Sequence, residues 1–450
     1  MAIGIGLLGL GTVGAGVATI LQSPEGRHPL VGELALRRIA VRDPARPRPL
    51  ELDPSLIVTD PEAVVDDPAV DIVVEVMGGL EPARSLILRA IAAGKPVVTA
   101  NKAVIARFGE EIAAAAAERG VYVLIEAAVG GGIPIIEPLK QSLGGNRIQR
   151  VSGIVNGTTN YILSRMAQEG AAYADVLADA QRLGYAEADP AADVQGGDAA
   201  DKIAILAGLA YGGAVPRPAI ATEGIDTLQA RDVAYAAQLG YVVKLLAVAQ
   251  REGEGEPLPL DVRVHPTLLP QDHPLAGVNG VNNAILVEGE PVGRVMFYGP
   301  GAGAGPTASA VVADILNIAG IRRVGPAGAP LDPLLAASRW RRCTLVEGGQ
   351  TSHRNYVRLL TRDEAGVIGR IGTCFGEAGV SIQSIVQFEG SGRSASGSAA
   401  GSSTAGAPAG DDAEIVVITH EVQESRFRKA LAAIEALTEV RAVAACLRTL

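Results

Sequence analysis

The chain has little of what secreted, metal-binding or nucleic-acid-binding proteins are built from. Its 450 residues hold three cysteines, Cys343, Cys374 and Cys446, far apart and without Cys-x-x-Cys spacing. That argues against a zinc ribbon or a disulfide framework and fits a reducing, cytoplasmic setting. Five histidines, His28, His265, His273, His353 and His420, show no metal-ligand spacing, and no Gly-x-Ser-x-Gly elbow occurs, so metalloenzyme and serine-hydrolase readings are poor. The net charge is -10, and Arg37, Arg38, Arg42, Arg46 and Arg48 are too local to form a basic stripe; no nucleic-acid partner is expected. No Lys or Arg precedes Arg27, so the apolar start lacks the positive region of a signal peptide. Beyond that start no uncharged apolar run reaches membrane-spanning length, and no membrane partner is expected.

What is present is an alternation of apolar runs and glycine turns in a chain that is 48% hydrophobic, enough for two to four domains. Residues 3–8 read as a buried strand running into Gly9-Leu10-Gly11-Thr12-Val13-Gly14, with residues 15–21 as the following helix. Strands at 34–41, 72–76, 97–99 and 121–126 alternate with helices at 82–93 and 110–119, which makes residues 1–149 an α/β, Rossmann-type doubly wound parallel sheet. From Arg150 the alternation breaks down. Helices at 159–169, 174–183 and 199–211 and strands at 260–264, 284–287 and 295–298 indicate an α+β domain over 150–320, whose helix at 307–320 is placed to return to the first domain. A Pro/Gly-rich linker spans 321–352, and residues 353–450 read as β-α-β-β-α-β, a ferredoxin-like order. Within that unit residues 390–410 are almost all Gly, Ser and Ala; such a segment cannot bury a core and reads as a disordered hairpin extension.

Between Gly184 and Lys202 lie five carboxylates, Glu187, Asp189, Asp193, Asp198 and Asp201, followed by a strongly apolar helix start at Ile203. Charges held against a core need partners. A loop that gathers acids and delivers a lysine suits a small zwitterion, with acids for its ammonium group and a cation for an oxygen. A capped helix, with Asp198 as N-cap or first-turn acid, fits the same residues.

In the first glycine turn, Gly9 allows the tight bend, Gly11 lets backbone approach a pyrophosphate and Gly14 permits close helix packing, with helix amides facing the phosphates. The position that selects the ribose shows Arg42, suited to a 2′-phosphate, and then Asp43, suited to a free 2′-hydroxyl; the balance leans to NADP with NAD tolerated. Asn101-Lys102 follows the strand at 97–99, where open α/β sheets place ligands. Lysine is disfavoured at a helix N-terminus, so Lys102 reads as a phosphate or substrate contact, with an ordinary surface lysine as the alternative.

The runs Gly9-Leu10-Gly11-Thr12-Val13-Gly14, Glu75-Val76-Met77-Gly78-Gly79, Thr99-Ala100-Asn101-Lys102, Gly131-Gly132-Ile133-Pro134-Ile135-Ile136 and Asn156-Gly157-Thr158-Thr159-Asn160-Tyr161-Ile162-Leu163, together with the acidic stretch, resemble homoserine dehydrogenase in order over residues 1 to roughly 320. The resemblance implies reversible reduction of L-aspartate 4-semialdehyde to L-homoserine with NAD(P)H, in threonine, methionine and isoleucine biosynthesis. It implies Lys202 as proton donor, Lys102 as a second lysine bridging cofactor and substrate, and Asp198 positioning Lys202 or the substrate. Glu187 would meet the substrate's amino group or hydroxyl, with Asp193 and Gly184 in support. Cofactor contacts would fall on Gly9, Gly11, Thr12, Val13, Gly14, Arg42, Asn101, Lys102 and Gly303. The family's monovalent cation, sodium, maps to Glu126 and the main chain of Val129, Gly131 and Ile133; oxygen-only ligation suits a hard cation.

Residues 353–450 resemble an ACT regulatory module. This implies an amino-acid effector, L-threonine, with Thr361, Asp363 and Ser381 as contacts, and a homodimer or homotetramer. A module that only dimerises is the alternative, since fold analogy does not establish a site, and the 390–410 insertion departs from compact ACT domains. The rivals to the whole reading are a non-catalytic nucleotide and amino-acid sensor and another NAD(P)-linked amino-acid dehydrogenase. Lys102, Glu187, Asp198 and Lys202 are all in place, which argues against the sensor.

Overall fold

Strands β1 (Ile3–Leu8), β4 (Ile72–Glu75) and β5 (Val97–Thr99) carry apolar runs without alternation and are buried along nearly their whole length, as parallel strands covered on both faces must be. With β2 (Leu34–Ala40), β3 (Ile57–Val58) and β6 (Val123–Leu124) they form a parallel sheet ordered β3-β2-β1-β4-β5-β6. That is the doubly wound order, with the switch point between β1 and β4. Helices α1 (Thr12–Gln22), α2 (Glu62–Asp66), α3 (Ala83–Ala92) and α4 (Lys102–Arg119) connect these strands. The computed structural model describes residues 2–48, 50–324, 343–389 and 412–450. The Pro/Gly-rich part of the linker, 325–342, and the 390–410 insertion lie outside the described residues.

The second layer carries α5 (Gly157–Glu169), α6 (Tyr173–Arg182), α7 (Ala191–Val194), α8 (Gly197–Tyr211) and α9 (Ala230–Gln238) against β7 (Arg147–Ile154), β8 (Ala221–Thr222), β9 (Tyr241–Arg251), β10 (Leu258–Pro270), β11 (Asn282–Glu290) and β12 (Gly293–Pro300). Sequence reading missed β9, which pairs with β10 from Leu260↔Arg251 to Pro270↔Tyr241. Its Val242-Val243-Lys244-Leu245-Leu246 run does not alternate, because both faces of the strand are covered. Helix α10 (Ala304–Val324) then packs through Ala308, Val311, Ile315 and Ile318 into the core under the first sheet. It is long and apolar enough by composition to cross a membrane, with a mean hydropathy of 1.3, yet half of that stretch is buried in this core.

The C-terminal unit contains β13 (Cys343–Leu345), β14 (Ser352–Arg362), α11 (Val367–Glu377), β15 (Ile382–Glu389), β16 (Asp412–Thr419), β17 (Val422–Gln423), α12 (Glu424–Glu435) and β18 (Val440–Thr449). Its strands run β18-β14-β16-β15, the ferredoxin-like arrangement that β-α-β-β-α-β order implies. The linker expectation needs correction at its end: β13 pairs parallel with β10, Leu258↔Cys343. The unit is not tethered loosely either. β18 pairs with β10 at Thr267↔Arg448 and Leu268↔Thr449, so one sheet of twelve strands runs through both units. Tyr356, Val416, Ile418 and Leu447 join the core beneath α5 to α9. At that seam Arg358, 1% exposed, donates to Asp232 of α9 at 2.6 Å and lies 3.4 Å from Glu414 of β16.

Candidate active site

Strand β1 runs into Gly9, whose φ of +101° only glycine adopts without strain, and α1 starts after Gly11. A Cβ on Gly14 would stand 2.2 Å from the Gly9 carbonyl oxygen, so helix and turn touch. No side chain caps α1, which leaves the first-turn amides, among them those of Thr12 and Val13, for an anion. Glycine without a neighbour at Gly11 and uncapped amides together make a cradle that fits a pyrophosphate. Gly303 precedes α10, whose Ala304 carbonyl would lie 2.7 Å from a Cβ on Gly16; the start of α10 therefore sits against α1. Arg42 is exposed just beyond β2 with no hydrogen bond or ion pair among the described residues. Asp43 is already engaged, its Oδ1 accepting from the Ala45 amide at 2.9 Å.

Buried Asn101 caps α4 through Oδ1 to the Val104 amide (3.3 Å) and donates from Nδ2 to the Gly79 carbonyl (2.7 Å). It is a structural cap that aims Lys102 at α8. The penalty for an ammonium group at a helix N-terminus is offset there: Lys102 Nζ lies 2.9 Å from Asp198 Oδ1. Gly196, in left-handed conformation, is the N-cap of α8, so Asp198 is not the cap. It is the first-turn acid, and one turn on Lys202 donates to its Oδ2 at 2.7 Å. Lys202 also donates to the Val155 carbonyl at 2.6 Å. Asn156 Nδ2 donates to Asp198 Oδ2 (3.0 Å) and to Asp193 Oδ1 (2.7 Å).

Burial alone would raise the Asp198 carboxyl, but the ammonium groups of Lys202 and Lys102 outweigh it and hold Asp198 well below the usual carboxylate range. Burial disfavours charge on Lys102, and Asp198 more than compensates, raising it. Asp193 lacks a lysine in contact, and burial raises its carboxyl. One carboxylate thus holds two lysines from two elements, one on the helix after β5 and one on α8. Beside it Asp201 Oδ2 meets Arg107 of α4 (3.2 Å) while its Oδ1 accepts from Arg217 (2.6 Å), a second tie between α4 and α8.

Gly184, with φ +77°, ends the turn after α6, and Thr158 Oγ1 donates to the Tyr185 carbonyl at 2.6 Å, fastening the acidic loop to α5. Glu187 is not brought into the lysine cluster: it is exposed, and its carboxylate has no partner among the described residues. At the position expected to hold a cation, Glu126 is 4% exposed, and its carboxylate accepts from the amides of Ile135 (2.6 Å), Ile136 (2.9 Å) and Glu137 (2.8 Å). Sequence reading missed two neighbours. Glu137 and Asp314 place carboxylate oxygens within 4.8 Å of one another and of Glu126. Burial raises Glu126 and, more strongly, Asp314, whose Oδ1 is buried without a hydrogen bond. Asp314 came from a helix 188 residues away, and no local spacing signals it. Val129, Gly131 and Ile133 lie in the irregular loop between Glu126 and these amides.

In the C-terminal unit Thr361 and Asp363 line a cavity of about 250 Å³ with Gly366, Ile368, Gln387 and Ile415. Gln387 Nε2 donates to Asp363 Oδ1 at 3.0 Å. Ser381 is not in this lining; its carbonyl accepts from the His420 amide.

Two family models match the chain: "Homoserine dehydrogenase, NAD binding domain" over residues 9–126 and "Homoserine dehydrogenase" over residues 134–316. A homoserine dehydrogenase of Synechocystis sp. is 55% identical over the full length of both chains. The crystal structure of a homoserine dehydrogenase from Thiobacillus denitrificans is 41% identical, with a TM-score of 0.84, covering 100% of this chain and 98% of that one. A hyperthermophilic archaeal homoserine dehydrogenase in complex with NADPH is 29% identical, with a TM-score of 0.59, and covers 71% of this chain and 98% of its own.

Proposed function

The chain belongs to the homoserine dehydrogenase family and is an NAD(P)-dependent oxidoreductase; from that premise we propose how its own residues interconvert L-aspartate 4-semialdehyde and L-homoserine. The observation that carries the reading is the Lys102–Asp198–Lys202 bridge at 2.9 and 2.7 Å, reaching from the end of the nucleotide-binding sheet to the acidic loop.

A reduced nicotinamide, when held by the turn at Gly9 to Gly14, would supply hydride to the aldehyde carbon. The alkoxide that forms needs a proton and a nearby positive charge. Lys202 supplies both: two of its three hydrogens point at Asp198 and Val155, leaving one for the substrate oxygen. In the reverse direction its neutral amine takes the hydroxyl proton. Asp198 keeps the two lysines together, and Lys102 bridges cofactor and substrate. Glu187, with an unengaged carboxylate on a fastened loop, binds the substrate amino group, supported by Asp193. Arg42, free of protein partners, takes the 2′-phosphate of NADP; Asp43, spent on its own turn, does not compete for it. NAD is tolerated at lower affinity.

Three carboxylates, buried Glu126 and Asp314 and half-buried Glu137, are set against Lys140, 3.1 Å from Glu137. That oxygen-rich, acid-heavy set fits a hard monovalent cation, sodium, held by Glu126 with the main chain of Val129, Gly131 and Ile133. Its part is structural, bracing the loop between the two sheets. The cavity at Thr361 and Asp363 supports an ACT-type amino-acid site for L-threonine, and an oligomer, dimer or tetramer, in the cytoplasm completes the reading.

The test is turnover of L-homoserine against a panel of other amino-acid alcohols, with NADP and NAD, in wild type and Asp198→Asn. Preference for homoserine, abolished in the variant, supports the account. Equal or better turnover of another alcohol would transfer it to a different dehydrogenase.

A further inference from the structure

Asn156 is 5% exposed and its side chain makes four hydrogen bonds. Its Oδ1 accepts from the Thr159 amide (2.9 Å) and from Thr159 Oγ1 (3.0 Å). A main-chain N–H can only donate, so this contact fixes which end of the amide is oxygen. Its two Nδ2 hydrogens then face two carboxylates, Asp193 at 2.7 Å and Asp198 at 3.0 Å. The three groups come from three elements: Asn156 is the N-cap of α5, Asp193 lies on α7 and Asp198 in the first turn of α8.

Asp198 must offer one oxygen to each lysine, and both lysines sit on long, flexible stems. The Lys202 bond alone leaves the carboxylate free to swing about it. A second donor on Oδ2, anchored to a helix cap, removes that freedom, and the same amide draws Asp193 to the site. We propose that Asn156 is a positioning residue for the reaction, clamping Asp193 and Asp198 to the N-terminus of α5 so that Asp198 divides its oxygens between Lys102 and Lys202. This rests on the dehydrogenase reading of the site.

A cap and a clamp make different predictions. Burial raises Asp193, and the Asn156 amide is the strongest influence opposing it; Asp198 also raises it, while Lys202 and Lys102 lower it. Losing the amide therefore drives Asp193 further up. An acid needed in its charged form then titrates at higher pH, and the acid limb of kcat/KM moves upward. Serine and aspartate both cap helices well, so Asn156→Ser keeps α5 closed while losing the paired donors; Asn156→Asp does the same and in addition sets a third carboxylate against Asp193 and Asp198, which raises Asp193 by charge as well.

The experiment is kcat/KM for L-homoserine across pH in wild type, N156S and N156D, with thermal unfolding of each. Wild-type turnover is the control for the underlying reading; without it that reading fails and the clamp is not what is being judged. Given turnover, the expected result is a fall of about tenfold or more in both variants, the scale of a hydrogen bond to a charged group. The acid limb moves to higher pH and the melting temperature of N156S stays close to wild type. An unmoved acid limb, whatever the turnover, overturns the proposal and leaves Asn156 a helix cap.

Discussion

Replacing Lys202 by alanine removes the group assigned to proton transfer and to the charge beside the alkoxide while leaving the cofactor cradle intact. Its Nζ is held at 2.7 Å by Asp198 and 2.6 Å by the Val155 carbonyl, so the variant loses one charged pair and one backbone contact. Asp198 is not orphaned, because Lys102 at 2.9 Å and Asn156 at 3.0 Å remain. The stability cost is therefore about 1–3 kcal/mol, that of hydrogen bonds to a charged group, and less than the penalty for stranding a buried charge. The catalytic cost is larger. General-acid participation contributes about 10²- to 10⁴-fold, roughly 3–5 kcal/mol of barrier. Initial rates of homoserine oxidation give kcat, and NADPH fluorescence titration gives cofactor affinity. The expected outcome is a kcat reduced by about a hundredfold or more with cofactor affinity within about threefold of wild type. Lys202→Arg does not rescue it, since guanidinium stays protonated. Near-normal kcat in Lys202→Ala would refute the assignment, and a matching loss of NADPH affinity would reassign Lys202 to cofactor binding.

Arg42→Ala should raise KM for NADP by about tenfold while leaving KM for NAD unchanged, the worth of a charge-assisted contact; equal changes for both would remove Arg42 from the phosphate. Arg358→Met takes the charged partner from buried Asp232, which keeps the Gln229 amide, while Glu414 keeps Arg231; it should cost about 3–5 kcal/mol in thermal or denaturant unfolding, whereas a loss under about 1 kcal/mol would show that the pair holds nothing. Burial and the nearby Arg263, Arg448 and Arg150 depress His353 from the ordinary 6.5 to about 3. Its stabilising effect is thus complete above pH 6.5 and drains away as pH falls toward 3, so the melting temperature should drop on acidification and drop less in His353→Gln. L-Threonine should bind wild type in calorimetry and lose affinity in Asp363→Ala, whose side chain lines the cavity; unaltered binding would place the effector elsewhere.

Where information was local, the sequence carried it. The turn at Gly9 to Gly14 names its own backbone demands, and the parallel sheet follows from apolar runs separated by helices. Asp198 and Lys202 stand four residues apart, whereas the helix read from residue 159 in fact starts at Gly157 with Asn156 as its cap. Apart from the return of the helix at 307–320 to the first domain, contacts between distant segments were not legible. Asp314 reaches the Glu126 amide across 188 residues, and nothing in the α10 sequence marks one aspartate among apolar residues as a site. The continuity of β10 with β18 depends on a pairing of only two residues on each strand, too short to leave a pattern. β9 was missed because covering on both faces erases alternation. Glu187 was assigned to the substrate by resemblance rather than by spacing, and the fold leaves its carboxylate exposed and outside the lysine cluster.

The most direct measurement of the central claim is the stoichiometry of NADPH and L-aspartate 4-semialdehyde formed by the purified chain from L-homoserine and NADP. The account predicts one NADPH per semialdehyde, sustained over many turnovers. Tight NADPH binding with no semialdehyde formed from homoserine, under NADP or NAD, would contradict it and leave a nucleotide sensor on a dehydrogenase fold.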